Sequence, residues 1–148
     1  GCGFNNTMDL SIQLDKIKLN IRVAVILETK LGYLFEKNHD GYYFTIGGRI
    51  KAGETSIMAA KREIFEEIGL NIEDISLVSV IENFFTSQNS PVHEICFVYR
   101  CQSIRELVLP SNFYQITRDL LNTVDIRPEI MRKIISEPSD KISHHIIL

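Results

Sequence analysis

Three acidic side chains within one helical turn are the residues of this sequence best suited to chemistry. Glu63, Glu66 and Glu67 stand at positions i, i+3 and i+4, which places them on one face of a helix. Like charges at these spacings destabilise a helix by roughly 0.2–0.5 kcal/mol per pair, and the C-terminal end of a helix also disfavours anions. A divalent cation would offset both effects, because carboxylate oxygens suit Mg²⁺ or Mn²⁺. The alternative, from spacing alone, is a solvated acidic helix face.

The residues around these glutamates form a longer pattern. Arg62 is a cation next to the acidic face, and we expect it to pair with a neighbouring carboxylate such as Glu54. Residues 48–70 resemble the signature of the Nudix family, G-x5-E-x7-R-E-U-x-E-E-x-G-U with U a bulky aliphatic residue, at every fixed position. The matching residues are Gly48, Glu54, Arg62, Glu63, Ile64, Glu66, Glu67, Gly69 and Leu70.

The resemblance implies a fold, a reaction and a cofactor. The implied fold is α/β, a Nudix-type α/β/α sandwich with a mixed β-sheet. The implied reaction is Mg²⁺-dependent hydrolysis of a phosphoanhydride in a nucleoside diphosphate linked to another moiety, by an activated water. It also implies that Glu66 and Glu67 are the principal metal ligands, Glu63 a further ligand or a base, and the backbone carbonyl near Gly48 an extra ligand. Glu54 and Arg62 would be structural, orienting the cluster.

Glu94 is the carboxylate outside the signature for which we expect a catalytic role. It lies in residues 92–99, an otherwise apolar stretch where an unpartnered carboxylate is costly to bury. Members of the resembled family often bring a glutamate from this region to the metal, as ligand or general base. The alternative is a strand-end glutamate that faces solvent.

Arg22, Arg49 and Phe44 are the candidates for binding substrate. Arg22 stands within an apolar strand, and Arg49 follows a double glycine close to where a phosphate would bind; the guanidinium fork suits phosphate or ribose oxygens. Surface ion pairs are an equally weighted alternative for both arginines. Phe44 is suited to stacking on a base, although aromatic residues in strands more often belong to the core.

The elements that position these residues follow from the hydrophobic periodicity. The helix should run over residues 55–68, with Thr55 or Ser56 as its N-cap, Gly69 as its stop, and Ile57, Ala60, Ile64 and Ile68 facing inward. Gly47 and Gly48 should end the strand before it. We predict strands over residues 19–29, 33–37, 42–46, 75–86, 92–101 and 144–148, and a second helix near 128–136. Helices should cover both faces of the sheet.

Composition narrows the class of protein. The chain has 148 residues and a net charge of −3, which fits one domain and gives no reason to bind a nucleic-acid polymer or an anionic membrane. No apolar run reaches the ~18 residues of a membrane span. Cys96 and Cys101 should be buried on opposite faces of a strand, and the absence of cysteine pairing predicts a cytoplasmic location. We expect residues 1–10 to be a tag remnant or a disordered N-terminus, and residues 11–148 to form a single Nudix hydrolase domain.

Two other functions compete with a hydrolase. Some Nudix-like domains have lost activity and act as nucleotide-sensing binding domains, usually with signature glutamates missing, whereas here none is missing. The chain could instead be a plain acidic protein–protein interaction domain, but its match to the full signature over residues 48–70 would then be a coincidence. The resemblance implies a small nucleotide-type substrate. Nucleoside triphosphates, modified nucleotides and nucleotide sugars stay open, because residues 85–88 include neither the proline nor the tyrosine that marks some substrate subgroups of the resembled family. A homodimer is compatible with the resemblance, although no residue indicates one.

Overall fold

The computed structural model of this chain describes residues 8–148. The prediction for residues 1–7 therefore lies outside the described residues. Residues 8–10 lie against the loop that precedes the acidic helix. The backbone N–H of Leu10 donates to the Ile50 carbonyl at 2.8 Å, and the Met8 carbonyl accepts from Ala52 at 2.8 Å. These residues thus brace the loop that precedes the acidic helix.

Within residues 8–148, nine strands form one mixed sheet. The strands are β1 (Ser11–Leu14), β2 (Ile17–Thr29), β3 (Gly32–Lys37), β4 (Tyr43–Phe44), β5 (Ile46–Arg49), β6 (Ser76–Ser87), β7 (Ser90–Gln102), β8 (Phe113–Ile116) and β9 (Ser143–Ile147). The helices are α1 (Ser56–Ile68), a 3-10 helix (Arg118–Thr123) and α2 (Ile130–Ser136). Most predicted elements are present, and β1 and β8 are additional short strands that the sequence analysis missed.

β2 is the central strand. One edge of β2 pairs in parallel with β7 from Lys18 to Glu28, and the other edge pairs in antiparallel fashion with β1, then β5, then β3 along its length. The β5 pairing joins Arg22 to Arg49 and Val23 to Gly48. The prediction that Gly47 and Gly48 end a strand is therefore wrong. Both glycines lie inside β5, where a Cβ on Gly47 would meet the Val23 carbonyl oxygen at 2.4 Å.

The two faces of the sheet carry separate hydrophobic cores, because successive side chains of a strand point to opposite sides. Val23, Val25 and Leu27 pack with α1 on one face, the α1 face. Ile26 packs on the opposite face, the α2 face, with residues of the 3-10 helix and α2. Cys101 and Cys96 belong to the α1-face and α2-face cores respectively, as predicted. The fold is thus the α/β/α sandwich with a mixed sheet.

Local signals fix the ends of α1. The Thr55 side chain accepts a hydrogen bond from the Met58 N–H, and Gly69 takes the left-handed conformation, φ 68°, while its N–H donates to the Phe65 carbonyl. The predicted inward face is rotated, however: Ile57 is 37% exposed, and the buried residues of α1 are Ala59, Ala60, Glu63 and Ile64. The carboxylate of Glu63 thus takes a position on the buried side of the helix. No helix among residues 8–148 is both long and apolar enough to cross a bilayer.

Candidate functional site

Arg62 is the centre of the acidic cluster on α1. Its Nε donates to Glu54 Oε2 at 2.7 Å and its Nη2 to Glu54 Oε1 at 2.9 Å, a bidentate pair. Nη1 donates to Glu63 Oε1 at 2.9 Å and lies 3.3 Å from Glu66 Oε2. Nη2 also reaches the Arg49 carbonyl at 3.1 Å. One guanidinium therefore ties the loop before α1, the helix and β5 together.

Glu54 joins the loop to this centre. Its Oε1 also accepts from the Lys51 N–H at 3.0 Å, which closes the turn before α1. Burial opposes ionisation of Glu54, but hydrogen bonds from Arg62 and Lys51 outweigh it, so the pKa of the Glu54 carboxyl lies below its ordinary value. The predicted Arg62–Glu54 pair is confirmed.

Glu63 lies against β5 at Gly48. A Cβ on Gly48 would meet Glu63 Oε1 at 2.3 Å, so the carboxylate occupies space that any side chain at position 48 would need. Burial raises the pKa of Glu63 above its ordinary value, Arg62 opposes this, and the charges of Glu66 and Glu67 add to it. The glycine of the signature therefore has a steric reason: it admits a buried carboxylate.

Glu66 is exposed and Glu67 is half-buried on the same helix face. Glu36 of β3 is a further acidic neighbour that the sequence analysis missed, because only the fold brings β3 to α1. Burial raises the pKa of Glu36, and the negative charge of Glu67 raises it further. Asn112 donates to Glu36 Oε2 at 3.0 Å and fixes its orientation.

The donor set fits a hard divalent cation by chemistry, because it consists of carboxylate oxygens and a backbone that approaches closely at Gly48. The carboxylates are not already gathered at one point: within residues 8–148 no set of three histidine, cysteine or acidic side chains stands ready to hold an ion. Arg62 instead binds Glu63 and Glu66 directly. The roles predicted for Gly48, Glu63, Glu66 and Glu67 as metal ligands stay predictions.

Glu94 lies on the α2 face, close to both predicted arginines. It is only 9% exposed, so the alternative of a solvent-facing strand-end glutamate is wrong. Arg22 Nη1 lies 3.8 Å from Glu94 Oε1. Burial raises the pKa of Glu94, and the charges of Arg22 and Arg49 and a hydrogen bond with Asn83 oppose this.

A cleft of about 540 Å³ opens on the α2 face beside these residues. Arg22 and Glu94 supply charge in it, and Phe44 lines it, as expected for a substrate residue. Tyr43, the neighbour of Phe44, packs edge-on against Phe35 instead. The other lining residues are Ala24, Tyr42, Thr45, Ile81, Asn83, Phe85, Cys96, Arg127, Pro128 and Met131.

None of those ten residues was predicted from the sequence as a site residue; the polar and aromatic ones among them are Tyr42, Thr45, Asn83, Phe85 and Arg127. The Arg127 guanidinium stacks over the Tyr42 ring at 4.5 Å and pairs with Asp125 at 3.0 Å. Asn83 lies opposite Glu94 in the β6–β7 ladder, so strand alternation around Glu94 was the signal that could have identified it.

Comparison with known proteins gives one family. The family model of the NUDIX domain matches residues 20–118, about two thirds of the 148-residue chain. Among curated proteins, the RNA pyrophosphohydrolase of Francisella tularensis subsp. tularensis (strain WY96-3418) is 31% identical over 75 residues, which cover 49% of this chain and 48% of that protein. The chain thus spans about half the length of the curated relatives it matches.

Solved structures agree on the fold. The mMutator MutT protein from Bacillus halodurans superposes with a TM-score of 0.70 at 18% identity, covering 86% of this chain and 90% of that chain. The dihydroneopterin triphosphate pyrophosphohydrolase of E. coli superposes with a TM-score of 0.60 at 17% identity, covering 80% and 93%.

Proposed function

This chain belongs to the Nudix family, and from that premise we propose that it is a Mg²⁺-dependent hydrolase of phosphoanhydride bonds in nucleoside diphosphates linked to another moiety. The observation that carries the proposal is the Arg62-centred cluster, which holds Glu63 against Gly48 and presents Glu66 beside it. A signature kept only as an evolutionary remnant would have no need of a glycine fitted to a carboxylate. The arrangement supports an acidic site that is built, not incidental.

The α1 side of the site would hold the cation. Glu66 and Glu67 are the proposed principal ligands, with Glu63 as a further ligand or base and the backbone near Gly48 as another. When bound, Mg²⁺ would neutralise charge on the phosphate oxygens and would make a water more acidic. Arg62 and Glu54 do not touch the substrate in this proposal; they keep the glutamates at a fixed place on the helix.

Arg22, which lines the cleft, and its neighbour Arg49 would bind the phosphates. Arg22 and Arg49 stand directly opposite each other on β2 and β5, a cross-strand pair of like charges that is unfavourable without an anion nearby. Glu94 supplies part of that negative charge. A substrate phosphate would supply the rest, so the pair supports phosphate binding more than a structural ion pair.

Glu94 is the proposed general base. Burial raises the pKa of Glu94 above that of an exposed glutamate and so toward neutral pH. A carboxylate with such a pKa is better suited to take a proton reversibly from an attacking water. Arg22, at 3.8 Å, keeps its ionised form accessible. A role for Glu94 as a further metal ligand is the alternative to this proposal.

The cleft supports a mononucleotide-sized substrate. Its volume of about 540 Å³ lies within the roughly 300–1,000 Å³ typical of small-molecule sites, and Phe44, Tyr42 and Phe85 offer aromatic surface for a base. The net charge of −3 argues against broad contact with a nucleic-acid polymer. Since a matched relative is an RNA pyrophosphohydrolase, an RNA with a phosphoanhydride at its 5′ end belongs among the compounds tested.

The test is a substrate panel with and without Mg²⁺. Nucleoside triphosphates, modified nucleotides, nucleotide sugars and the RNA are assayed for release of phosphate, pyrophosphate or nucleotide. Glu67→Gln should lower kcat at least about 100-fold, in the range that loss of an electrostatic catalytic group produces. Glu73→Gln is the matched control, since Glu73 is a largely exposed side chain just beyond α1 and should turn over as wild type.

Each outcome separates the competing functions. Turnover that survives both EDTA and Glu67→Gln would contradict the metal mechanism. Saturable nucleotide binding without turnover of any compound would favour the nucleotide-sensing domain. Homodimerisation and the cytoplasmic location stay predictions.

A further inference from the structure

A second concave site lies on the α2 face, at the opposite end of α2 from the cleft. We call it the basic notch and define it by Arg100, Lys133, Lys141 and His145, which line it together with Glu137. Its volume is about 120 Å³, well below the roughly 300–1,000 Å³ of a drug-sized pocket. It has room for one small chemical group and none for a nucleoside.

The basic notch concentrates positive charge on a chain whose net charge is −3. Two lysines, one arginine and one histidine line the notch with a single carboxylate, that of Glu137. None of the ion pairs found within residues 8–148 uses any of these four basic residues. Their charges are therefore left to interact with whatever enters the notch.

Arg100 is incompletely satisfied by the protein. One of its terminal nitrogens donates to the Ile135 carbonyl at 3.2 Å, which caps the C-terminal turn of α2. Its Nε is buried and has no hydrogen-bond partner. A buried donor without an acceptor destabilises the fold, so the bond to the end of the helix explains only part of this side chain. Arg100 lines the notch, so an oxyanion there would offset the positive charge of its guanidinium.

The charges that act on His145 are positive. Its ring Nε2 lies 3.1 Å from Ser143 Oγ. Burial lowers the pKa of His145, and the positive charges of Lys133 and His144 lower it further. The imidazole thus experiences an excess of positive charge, which a bound anion would offset.

We propose that the basic notch binds a phosphoryl group, as inorganic phosphate or as the terminal phosphate of a larger molecule. A tetrahedral oxyanion matches the size of the notch and gives the cations an acceptor from several directions. The site is separate from the cleft: Glu94 and Arg100 lie on the same face of β7, six residues apart, or about 20 Å. α2 links the two, since Met131 lines the cleft and Lys133 lines the notch.

The experiment is a titration of the full chain, with EDTA present, by inorganic phosphate, followed through the ring signals of His145 by NMR. We expect saturable binding that raises the pKa of His145, because an adjacent anion stabilises imidazolium. Lys133→Gln and Lys141→Gln should each weaken binding about threefold or more, and the double variant about tenfold or more. Both side chains are exposed, so these variants should fold.

Two controls locate the bound phosphate. Lys30→Gln, an exposed lysine in the β2–β3 turn, should bind phosphate as wild type does. Arg22→Gln, in the cleft, should also leave the His145 response unchanged. Binding that is lost in Arg22→Gln but kept in the double lysine variant would overturn the proposal, as would a His145 signal that phosphate does not move.

A nucleoside monophosphate distinguishes the two sources of phosphate. Affinity equal to or tighter than that for inorganic phosphate assigns the basic notch to the terminal phosphoryl group of a larger molecule. Clearly weaker affinity assigns it to the free ion. These binding measurements do not depend on hydrolase activity. The proposal for the basic notch and the proposed function can therefore be refuted independently of each other.

Discussion

Replacing Arg62 with methionine tests whether one guanidinium holds the acidic cluster together. Methionine keeps an unbranched side chain and removes contacts of 2.7, 2.9 and 2.9 Å to two carboxylates. The side chains of Glu54 and Glu63 are only 13% and 11% exposed, so both would be left without their counter-charge and largely out of water. Breaking a buried pair from one side costs about 3–5 kcal/mol, and the 21% exposure of Arg62 places the expected loss near the lower end, about 3 kcal/mol.

The pH dependence of this loss follows from the two carboxyl groups. The pKa of Glu54 is lowered in the folded chain, so its bond to Arg62 stabilises the fold above the ordinary glutamate value of about 4.3 and is lost as pH falls through the folded pKa. The pKa of Glu63 is raised, so its ionised form destabilises the fold at neutral pH, more so without Arg62, and protonation in acid removes this effect. Both trends narrow the difference between variant and wild type at low pH.

Urea unfolding at about pH 7 and about pH 3.5 measures both effects. Arg105→Met is the matched control, because Arg105 is an exposed loop residue, and its unfolding free energy should stay within about 0.5 kcal/mol of wild type. A loss below about 1 kcal/mol for Arg62→Met, or the same loss at both pH values, would refute the reasoning.

Three further predictions concern β5, the base and the thiols. Gly48→Ala places a Cβ 2.3 Å from a carboxylate oxygen at the end of a flexible side chain, so Mg²⁺-dependent turnover should fall about 100-fold with little change in the urea midpoint. Gly47→Ala meets a backbone carbonyl at 2.4 Å and should instead lose about 2 kcal/mol of unfolding free energy; equal effects of the two substitutions would contradict this. Because the pKa of Glu94 is raised, kcat/KM of the wild type should decline as the pH falls through that pKa. The pH profile of Glu94→Gln should lack this decline, and a decline that persists in the variant excludes Glu94 as the base. Burial raises the pKa of both Cys96 and Cys101 to about 12. In a Cys2→Ser background, a thiol reagent at about pH 8 should therefore label neither cysteine until urea is added. Rapid labelling of the native protein would disprove their burial.

Local signals allowed the sequence to predict α1 and its neighbourhood. Thr55 and Gly69 define the helix by capping, and the Glu54–Arg62 pair follows from charges brought together within one short loop and helix. The inward face was misjudged at Ile57 because hydrophobicity alone ignores Glu63. The space beside Gly48 lets α1 bury that carboxylate, together with Ala59 and Ala60, in place of the isoleucine.

Long-range contacts account for what the sequence could not predict. The short strands β1 and β8 exist because they pair with β2 and β3, and their own residues carry weak strand signals. The cleft combines Tyr42, Phe85 and Arg127 from segments far apart in the chain, so no local pattern could group them. The sequence singled out Glu94 as a candidate because a carboxylate in an apolar strand needs a partner, and in the structure Arg22 is that partner.

The structure also changes the reason for expecting a cation at α1. Spacing alone suggested that the acidic face needs a metal to offset its repulsion, but Arg62 already binds Glu63 and Glu66. One guanidinium, however, contacts three carboxylates, Glu54, Glu63 and Glu66, and its best contacts are with Glu54. Glu67 adds a fourth negative charge that acts on Glu63. The excess negative charge therefore falls on Glu66 and Glu67, the two glutamates nearest to solvent. In the proposed function, a divalent ion would reach those two glutamates first, and Arg62 would keep Glu63 in place behind them. The guanidinium and the cation would then have complementary rather than competing roles.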